Sequence, residues 1–546
     1  MSAYALVPRV IPSLTRSATR SLAPLGMTTA ASITTRRSPP YTADDRMQRM
    51  PHQLSGQAIP TLPPRRSRVL ARLGLGLLLP AALAAQEIAP AEYAARRDSL
   101  AARLDSGVVV AFGAPTPTGI VQPGQLPAFR YLTGFLEPNA VLVLVLRDGR
   151  ASGTLYTLAR DPRRALYDGF MPDSAAIARA TGLGARSIAA LGPALDSLAR
   201  SGLPFYTLRD FSGADFAQTD SLTRGAAFLR TFAAAHPGLD PRDAHPVVDS
   251  LRARKSPAEL ALLRRAIDIT VAAHRQALRA VRPGVWEYEI DALFASAFRR
   301  TGGDGPSFGS IIGSGPNSTQ YHYETNNRRM QAGDVVVIDV GAGYRGYAAD
   351  VTRTLPVSGR FTADQRTIYQ IVRDAQAAAE GVARPGAAYA AWRDSARAVI
   401  ARGVTRLGLT EGVDATFDPP WADQCASQPV RCTQAFLYMA HGLGHGIGLE
   451  VHDPPYPGYG PGVFQQGDVF TIEPGIYVST RLLDILPDTP KNRSMIAHVR
   501  TAVERYKDIG VRIEDDYAIT DTGVEWLSRA PREIAEVEAA MARRGR

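Results

Sequence analysis

Five side chains able to bind a divalent ion recur late in the 546-residue chain, each inside its own short apolar segment: Asp339, Asp350, His445, Glu473 and Glu514. The first two lie in VVVIDVGAGYRGYAADVTRT, eleven positions apart across a turn that Gly341, Gly343 and Gly346 make easy. That spacing predicts a β-hairpin with a carboxylate on each arm. The third lies in HGLGHGIGLEVHD (441–453), the fourth in FTIEPGIY (470–477) and the fifth in GVRIEDDYAIT (510–520).

Four carboxylates and one imidazole make a hard, oxygen-rich ligand set, which favours Mn²⁺, Mg²⁺ or similar ions over a sulfur-bound structural zinc. If some carboxylates bridge, two ions about 3.5–4 Å apart can share a hydroxide that is ionised near neutral pH. His322, His441 and His452 cannot all join the same ligand set, so they suit places beside it or facing a substrate. Glycines at 442, 444, 446 and 448 keep bulky side chains off the third segment, so that another strand or a substrate can approach its backbone. Each element alone has a plainer reading. Asp339 could be a turn residue, Glu-Pro-Gly an ordinary turn, Glu514-Asp515-Asp516 a solvated acidic cluster and Arg512 a surface charge. Their conjunction in one stretch of chain is what carries weight.

A hydrophobic content of 45% over this length supports a large core and two domains. The net charge of +10 invites a nucleic-acid reading, but its distribution argues against one. Residues 1–84 hold eleven of the 62 basic residues and only two of the 52 acidic ones, leaving 51 against 50 for the rest. The body is near neutral and nucleic-acid binding is set aside. Within that leader, RRSRVLARLGLGLLLPAALAAQ (65–86) combines a basic start, a short apolar core from Leu73 to Leu83 and an Ala82-Leu83-Ala84 site. This predicts a signal peptide over 65–85 and export to the periplasm or beyond. A mitochondrial transit peptide is the alternative, because the first 84 residues are rich in Arg and Ser and poor in acids. Residues 1–64 read as a disordered or over-extended N-terminus. The apolar core is too short to span a bilayer and no longer run follows, so no stable membrane span is expected. Cys425 and Cys432, the only two cysteines, flank a Pro429 turn, and in an oxidising compartment a local disulfide is expected.

From about Ala91 to Asp240 the pattern alternates strands and helices, which suggests a partly parallel sheet covered by helices. Prolines in HPGLDPRDAHPVV (236–248) mark a boundary. Beyond it, Ser256 with Glu259 and Thr362 with Gln365 predict capping boxes on two long helices. A helix-helix-strand succession that occurs twice hints at an internal duplication.

The segments IDVGAGYRGYAADVTRT, HGLGHGIGLEVHD, FTIEPGIY and GVRIEDDYAIT together resemble the pita-bread metallopeptidases, and among them the aminopeptidase P (Xaa-Pro aminopeptidase) family most. FRYLTGFLEPNAVLVL resembles the creatinase-type N-terminal domain of that family and of prolidases. The resemblance implies an α/β creatinase-type N-terminal domain over 91–240 followed by an α+β pita-bread catalytic domain over 246–535. It implies two divalent ions, Mn²⁺ by family habit, with Asp339 chelating one, Asp350 and Glu514 bridging both, and His445 and Glu473 completing the other shell. Glu473 would also shuttle the proton between attacking water and leaving amine. His322 would face the substrate, His452 would contact the scissile carbonyl or the backbone on the proline side, and His441 and Arg512 would stand behind the ligands or in the pocket. Substrates would be peptides with proline in second place, and the assembly a homodimer or homotetramer. A prolidase shares fold and ligands and is the nearest alternative; a binding protein that has lost catalysis is a more distant one. Two stretches depart from the pattern, 418–434 and 479–508, and both are expected to form loops near the site. ALYDGFMPD (165–173) stands where the family often carries a tryptophan and paired arginines.

Overall fold

The computed structural model describes residues 87–115, 124–208, 224–458 and 460–542. The readings made for the tail and the signal peptide lie outside these residues. Among the described residues, no helix is long and apolar enough to cross a membrane.

The N-terminal domain is built on six strands: β1 (Gly107–Phe112), β2 (Val141–Arg147), β3 (Arg150–Thr157), β4 (Gly184–Ser187), β5 (Phe205–Leu208) and β6 (Arg242–Asp243), in the order β4-β3-β2-β1-β5-β6. The central hairpins are antiparallel, while β4, β5 and β6 add in parallel. The uninterrupted apolar run of β1 follows from cover on both faces. Val109 and Ala111 enter one core, while Val108, Val110 and Phe112 enter the other. A partly parallel sheet covered by helices is therefore what the alternation encodes.

The second domain repeats one plan. Helix Pro257–Ala280 starts at a capping box of Ser256 with Glu259, and helix Ala363–Val382 at one of Thr362 with Gln365. Each leads through an Arg-Pro-Gly turn, in which Gly284 (φ 88°) and Gly386 (φ 81°) take a left-handed conformation, into a second helix, Glu287–Arg300 or Tyr389–Arg406. The turns are tied alike. Gly284 N–H donates to Met330 O at 2.9 Å, and Gly386 N–H to Phe464 O at 2.8 Å.

Strands follow each helix pair: first β7 (Gly305–Pro306), β8 (Ile311–Ser314), β9 (Val335–Val340), β10 (Ala342–Tyr344), β11 (Tyr347–Ala348) and β12 (Val351–Pro356). The second set is β13 (Val469–Ile472), β14 (Gly475–Val478), β15 (Ile509–Arg512), β16 (Asp515–Ile519) and β17 (Val524–Trp526). In the first half β9 is flanked by β8 and β12. In the second, β13 pairs with β16 on one side and receives the segment around 443–447 on the other, through Ile447 N–H to Val469 O and Thr471 N–H to His445 O. The suspected duplication is thus visible in register, and one apolar core runs through both halves around Trp392, Phe294 and Phe470.

One expectation is corrected. The stretch 479–508 is not a loop: it holds a short helix, Arg481–Asp484, and a 17-residue helix, Pro490–Tyr506. The Thr489 side chain accepts from Asn492 N–H, Pro490 occupies the first turn, and Met495, Val499, Val503 and Tyr506 form a buried stripe at helical spacing. Those signals are in the sequence, but charged residues between them mask the period. The other stretch, 418–434, is a chain of tight 3₁₀ turns closed by a Cys425–Cys432 disulfide with Cα atoms 5.7 Å apart. Asn492 fastens it by accepting from Asp418 N–H at 2.9 Å and donating to Asp418 O at 2.8 Å.

Two substitutions test this account of the helices. Thr362→Ala removes a cap and is expected to cost about 1 kcal/mol. Gly381→Ala lies in the same helix, where an added methyl meets nothing within 4 Å, and should stabilise by about 0.5–1 kcal/mol. Urea denaturation of both variants would show midpoints moving in opposite directions.

Candidate metal centre

Asp339 sits near the end of β9, opposite Thr352, and Asp350 immediately precedes β12, so the predicted hairpin places both carboxylates at one end. Glu473 and Glu514 occupy the matching places in the second half, in the turns between β13 and β14 and between β15 and β16. The fifth residue, His445, lies on the segment beside β13. Two glycines make that approach possible. A methyl on Gly444 would stand 2.1 Å from Thr471 O, and one on Gly446 2.1 Å from Asp453 O. It is the protein's own backbone, then, that these glycines admit.

All five side chains are buried. His445 Nδ1 lies 3.1 Å from Gly446 O, an atom that only accepts, so Nδ1 carries the proton and Nε2 keeps a free lone pair. That lone pair faces Asp350 Oδ2 at 3.5 Å, Glu473 Oε1 at 3.6 Å and Glu514 Oε1 at 3.9 Å. One donor atom each from Asp350, His445 and Glu514 falls within a sphere of mutual distances below 4.8 Å. Asp339 is reached by Arg512 Nη2 at 2.9 Å, and Glu514 Oε2 accepts from Thr352 Oγ1 at 2.6 Å.

This cluster fits cations and fits poorly without them. Asp339 Oδ1 and Asp350 Oδ1 are buried with no hydrogen-bond partner, an arrangement that protein interiors avoid. Burial first, and then mutual repulsion, push Asp350 and Glu473 well above the usual carboxylate range and Glu514 up to about 8. Burial pushes His445 and His441 down to about 3, so both imidazoles are neutral and able to act as ligands or acceptors near pH 7. The plainer readings of the acidic residues and of Arg512 fail on burial, since Glu514, Asp515, Asp516 and Arg512 are all enclosed.

The remaining predicted residues gather around the cluster. The His452 ring lies 4.1 Å from that of His445. His441 donates through Nδ1 to Gly442 O at 2.7 Å and accepts at Nε2 from Tyr477 Oη at 2.9 Å. Its Nδ1 is also 3.5 Å from Glu473 Oε2. Exposed His322 is near enough to His441 to oppose its protonation. Sequence reasoning missed two tyrosines. Tyr477 closes the FTIEPGIY motif, and Tyr321 packs its ring 4.6 Å from that of Tyr477 and 5.3 Å from that of His441. Tyr321 O accepts from Arg512 Nη2 at 3.1 Å, and Tyr321 Oη accepts from Ala440 N–H at 3.2 Å. Their positions beside His322 and Glu473 were the available signal.

The titration behaviour has a direct consequence for the metal-free chain. Carboxylates whose value is raised by folding stabilise the fold at low pH, and that contribution is lost as pH climbs; for Glu514 the window runs from its ordinary 4.5 to about 8. The lowered histidines act in the opposite sense, from about 3 to their ordinary 6.5, and are spent above that value. The chelated protein should therefore melt at a falling temperature between pH 6.5 and pH 8. Added divalent metal should raise the midpoint more at pH 8 than at pH 6.5. Thermal scans with chelator and with Mn²⁺ across that range would reveal it, and a flat metal-free profile would contradict it.

A family model described as metallopeptidase family M24 matches residues 261–521, and one described as aminopeptidase P, N-terminal domain, matches residues 93–202. The Xaa-Pro aminopeptidase of Escherichia coli (strain K12) is 33% identical over 466 residues, which cover 83% of this chain and 98% of that protein. Human Xaa-Pro dipeptidase is 34% identical over 321 residues, 55% of this chain and 62% of that protein. Among solved structures, E. coli aminopeptidase P with the inhibitor Pro-Leu superposes with a TM-score of 0.69 at 32% identity, covering 84% of this chain and 99% of that one. The aminopeptidase P II of Yersinia pestis gives 0.68 at 30% identity, covering 83% and 100%.

Proposed function

Because this chain belongs to the aminopeptidase P group of the M24 metallopeptidases, we propose that its five buried ligands hold two divalent ions and that it removes the first residue from peptides with proline in second place. It is a metal-dependent exopeptidase of the Xaa-Pro class. The observation that carries the two-ion reading is the convergence of buried donor atoms from Asp350, His445 and Glu514 beside unpartnered carboxylate oxygens of Asp339 and Asp350. Bound ions would lower the pKa of a shared water and polarise the scissile carbonyl. The hard donor set favours Mn²⁺.

The chain's own groups then divide the work. Glu473, as the carboxylate beside the ligand cluster, would accept the proton of the attacking water and return it to the departing proline nitrogen. His452, alongside His445, donates to the carbonyl oxygen as it gains charge. Arg512 holds Asp339 and the Tyr321 carbonyl together, and Tyr477 fixes the His441 ring. His322, exposed and close to His441, would meet the peptide beyond the scissile bond.

The Cys425–Cys432 bridge supports export to an oxidising compartment, the periplasm or the outside. Leu166, Tyr167 and Phe170, each more than 80% exposed on the N-terminal domain, support a homodimer or homotetramer. The likeness to human Xaa-Pro dipeptidase favours a second reading, a prolidase confined to dipeptides.

Hydrolysis of an Xaa-Pro dipeptide and an Xaa-Pro-Yaa tripeptide by chelated and Mn²⁺-reconstituted protein separates the two. Metal-restored tripeptide cleavage is expected, and cleavage of the dipeptide alone would make the chain a prolidase. Asp350→Ala and His445→Ala should each abolish turnover with the fold retained by circular dichroism. Glu473→Gln should lower kcat by about 10²–10⁴-fold with a smaller change in KM.

A further inference from the structure

The loop that carries His452 is held from outside the metal centre. Residue 453, directly after it, is a fully enclosed aspartate whose two carboxylate oxygens are each taken by a cation from the linker between the domains. Lys255 Nζ donates to Asp453 Oδ2 at 2.8 Å, to Pro454 O at 2.5 Å and to Arg252 O at 3.0 Å. Arg252 Nη2 donates to Asp453 Oδ1 and to Glu450 Oε2, the latter at 2.6 Å. Asp453 Oδ1 also accepts from Glu450 N–H at 3.2 Å, and Asp453 N–H donates to Gly446 O at 2.8 Å. The side chains of Arg252, Lys255 and Asp453 are no more than 4% exposed.

The start of this linker packs into the core of the N-terminal domain. Arg252 ends helix His245–Arg252, whose Val248 and preceding Ala244 belong to the core under the N-terminal sheet. Tyr131 Oη donates to Leu251 O at 3.1 Å, and Ala244 N–H to Thr207 O of β5 at 3.0 Å. From the other side, Leu449 packs against the cores of both domains. A continuous buried path therefore runs from the N-terminal sheet through Arg252 and Lys255 to Asp453 and the adjoining His452.

We infer that Arg252 and Lys255 are positioning residues for His452, and that through them the N-terminal domain forms part of the catalytic apparatus. This rests on the role given to His452 above. Neither cation reaches the reacting atoms. Each fixes the backbone that aims the imidazole, and two cations on one carboxylate fix it in two directions. A neutral replacement leaves Asp453 short of a partner in a dry site, where the loop relieves the imbalance by moving.

The test is a double-mutant cycle on the metal-reconstituted, full-length protein with an Xaa-Pro-Yaa tripeptide, with bound metal and melting temperature measured for every variant. Lys255→Met keeps the apolar stem and removes the charge. It is expected to lower kcat by about 10–100-fold with metal content unchanged. In a His452→Ala background the same change should cost less than about threefold, because the group it positions is gone. Equal losses in both backgrounds would mark Lys255 as merely structural and overturn the inference, as would wild-type kcat in Lys255→Met. If His452→Ala alone retains full activity, the role assigned to His452 falls and the inference falls with it, a result distinct from an additive cycle. Should Lys255→Met fail to fold, Glu450→Gln, which weakens the Arg252 contact at the more exposed edge, enters the same cycle with an expected loss of about 3–10-fold and the same criterion.

Discussion

Repulsion among buried carboxylates is the constraint on which the rest of the second domain turns. Keeping four acids ionised while enclosed around one imidazole is costly unless positive charge is supplied. Arg512 supplies part of it and bound cations the remainder. The surrounding structure then has a definite task, which is to hold the acids still while like charges push them apart. Arg353 illustrates how. It is fully buried and spends its donors on Thr352 O, Glu514 O, Asp515 Oδ1 and the Pro531 and Ala530 carbonyls, pinning the backbone on both sides of the cluster.

The same constraint sorts the three consecutive acids Glu514, Asp515 and Asp516. Glu514 faces the centre, while Asp515 turns back to Arg353 and Arg532, which hold it below its ordinary value against the opposing effect of burial. Asp516 Oδ2 accepts from Asp350 N–H at 3.2 Å and so reaches across to the other half. A run that reads as one acidic patch thus performs three separate tasks, because alternate residues of a strand face opposite sides.

Much of this was legible in the sequence. The five ligands lie in distinct apolar segments with turn residues at fixed offsets, and the capping boxes at Ser256 and Thr362 mark helix starts without help from tertiary structure. What could not be read depends on contacts between distant segments. Tyr321 and Tyr477 acquire a role only when β14 comes beside the chain before His322. Arg252 and Lys255 look like ordinary linker charges until the fold carries them some two hundred positions along the chain to Asp453. The helix Pro490–Tyr506 was obscured for a different reason: its buried stripe is narrow, and polar residues fill the rest of its surface.

The duplicated plan of the second domain has a mechanical corollary. Asp339 and Asp350 come from one half, His445, Glu473 and Glu514 from the other, and the ligand atoms meet at the seam between them. An ion held by Asp350, His445 and Glu514 would act as a rivet joining two similar plates. The first plate offers only two of the five ligands, and the convergent set of Asp350, His445 and Glu514 draws on both, so its assembly reports that the halves have closed on each other. The centre is thereby its own gauge of correct assembly: a chain folded in one half only would lack the complete set of five ligands.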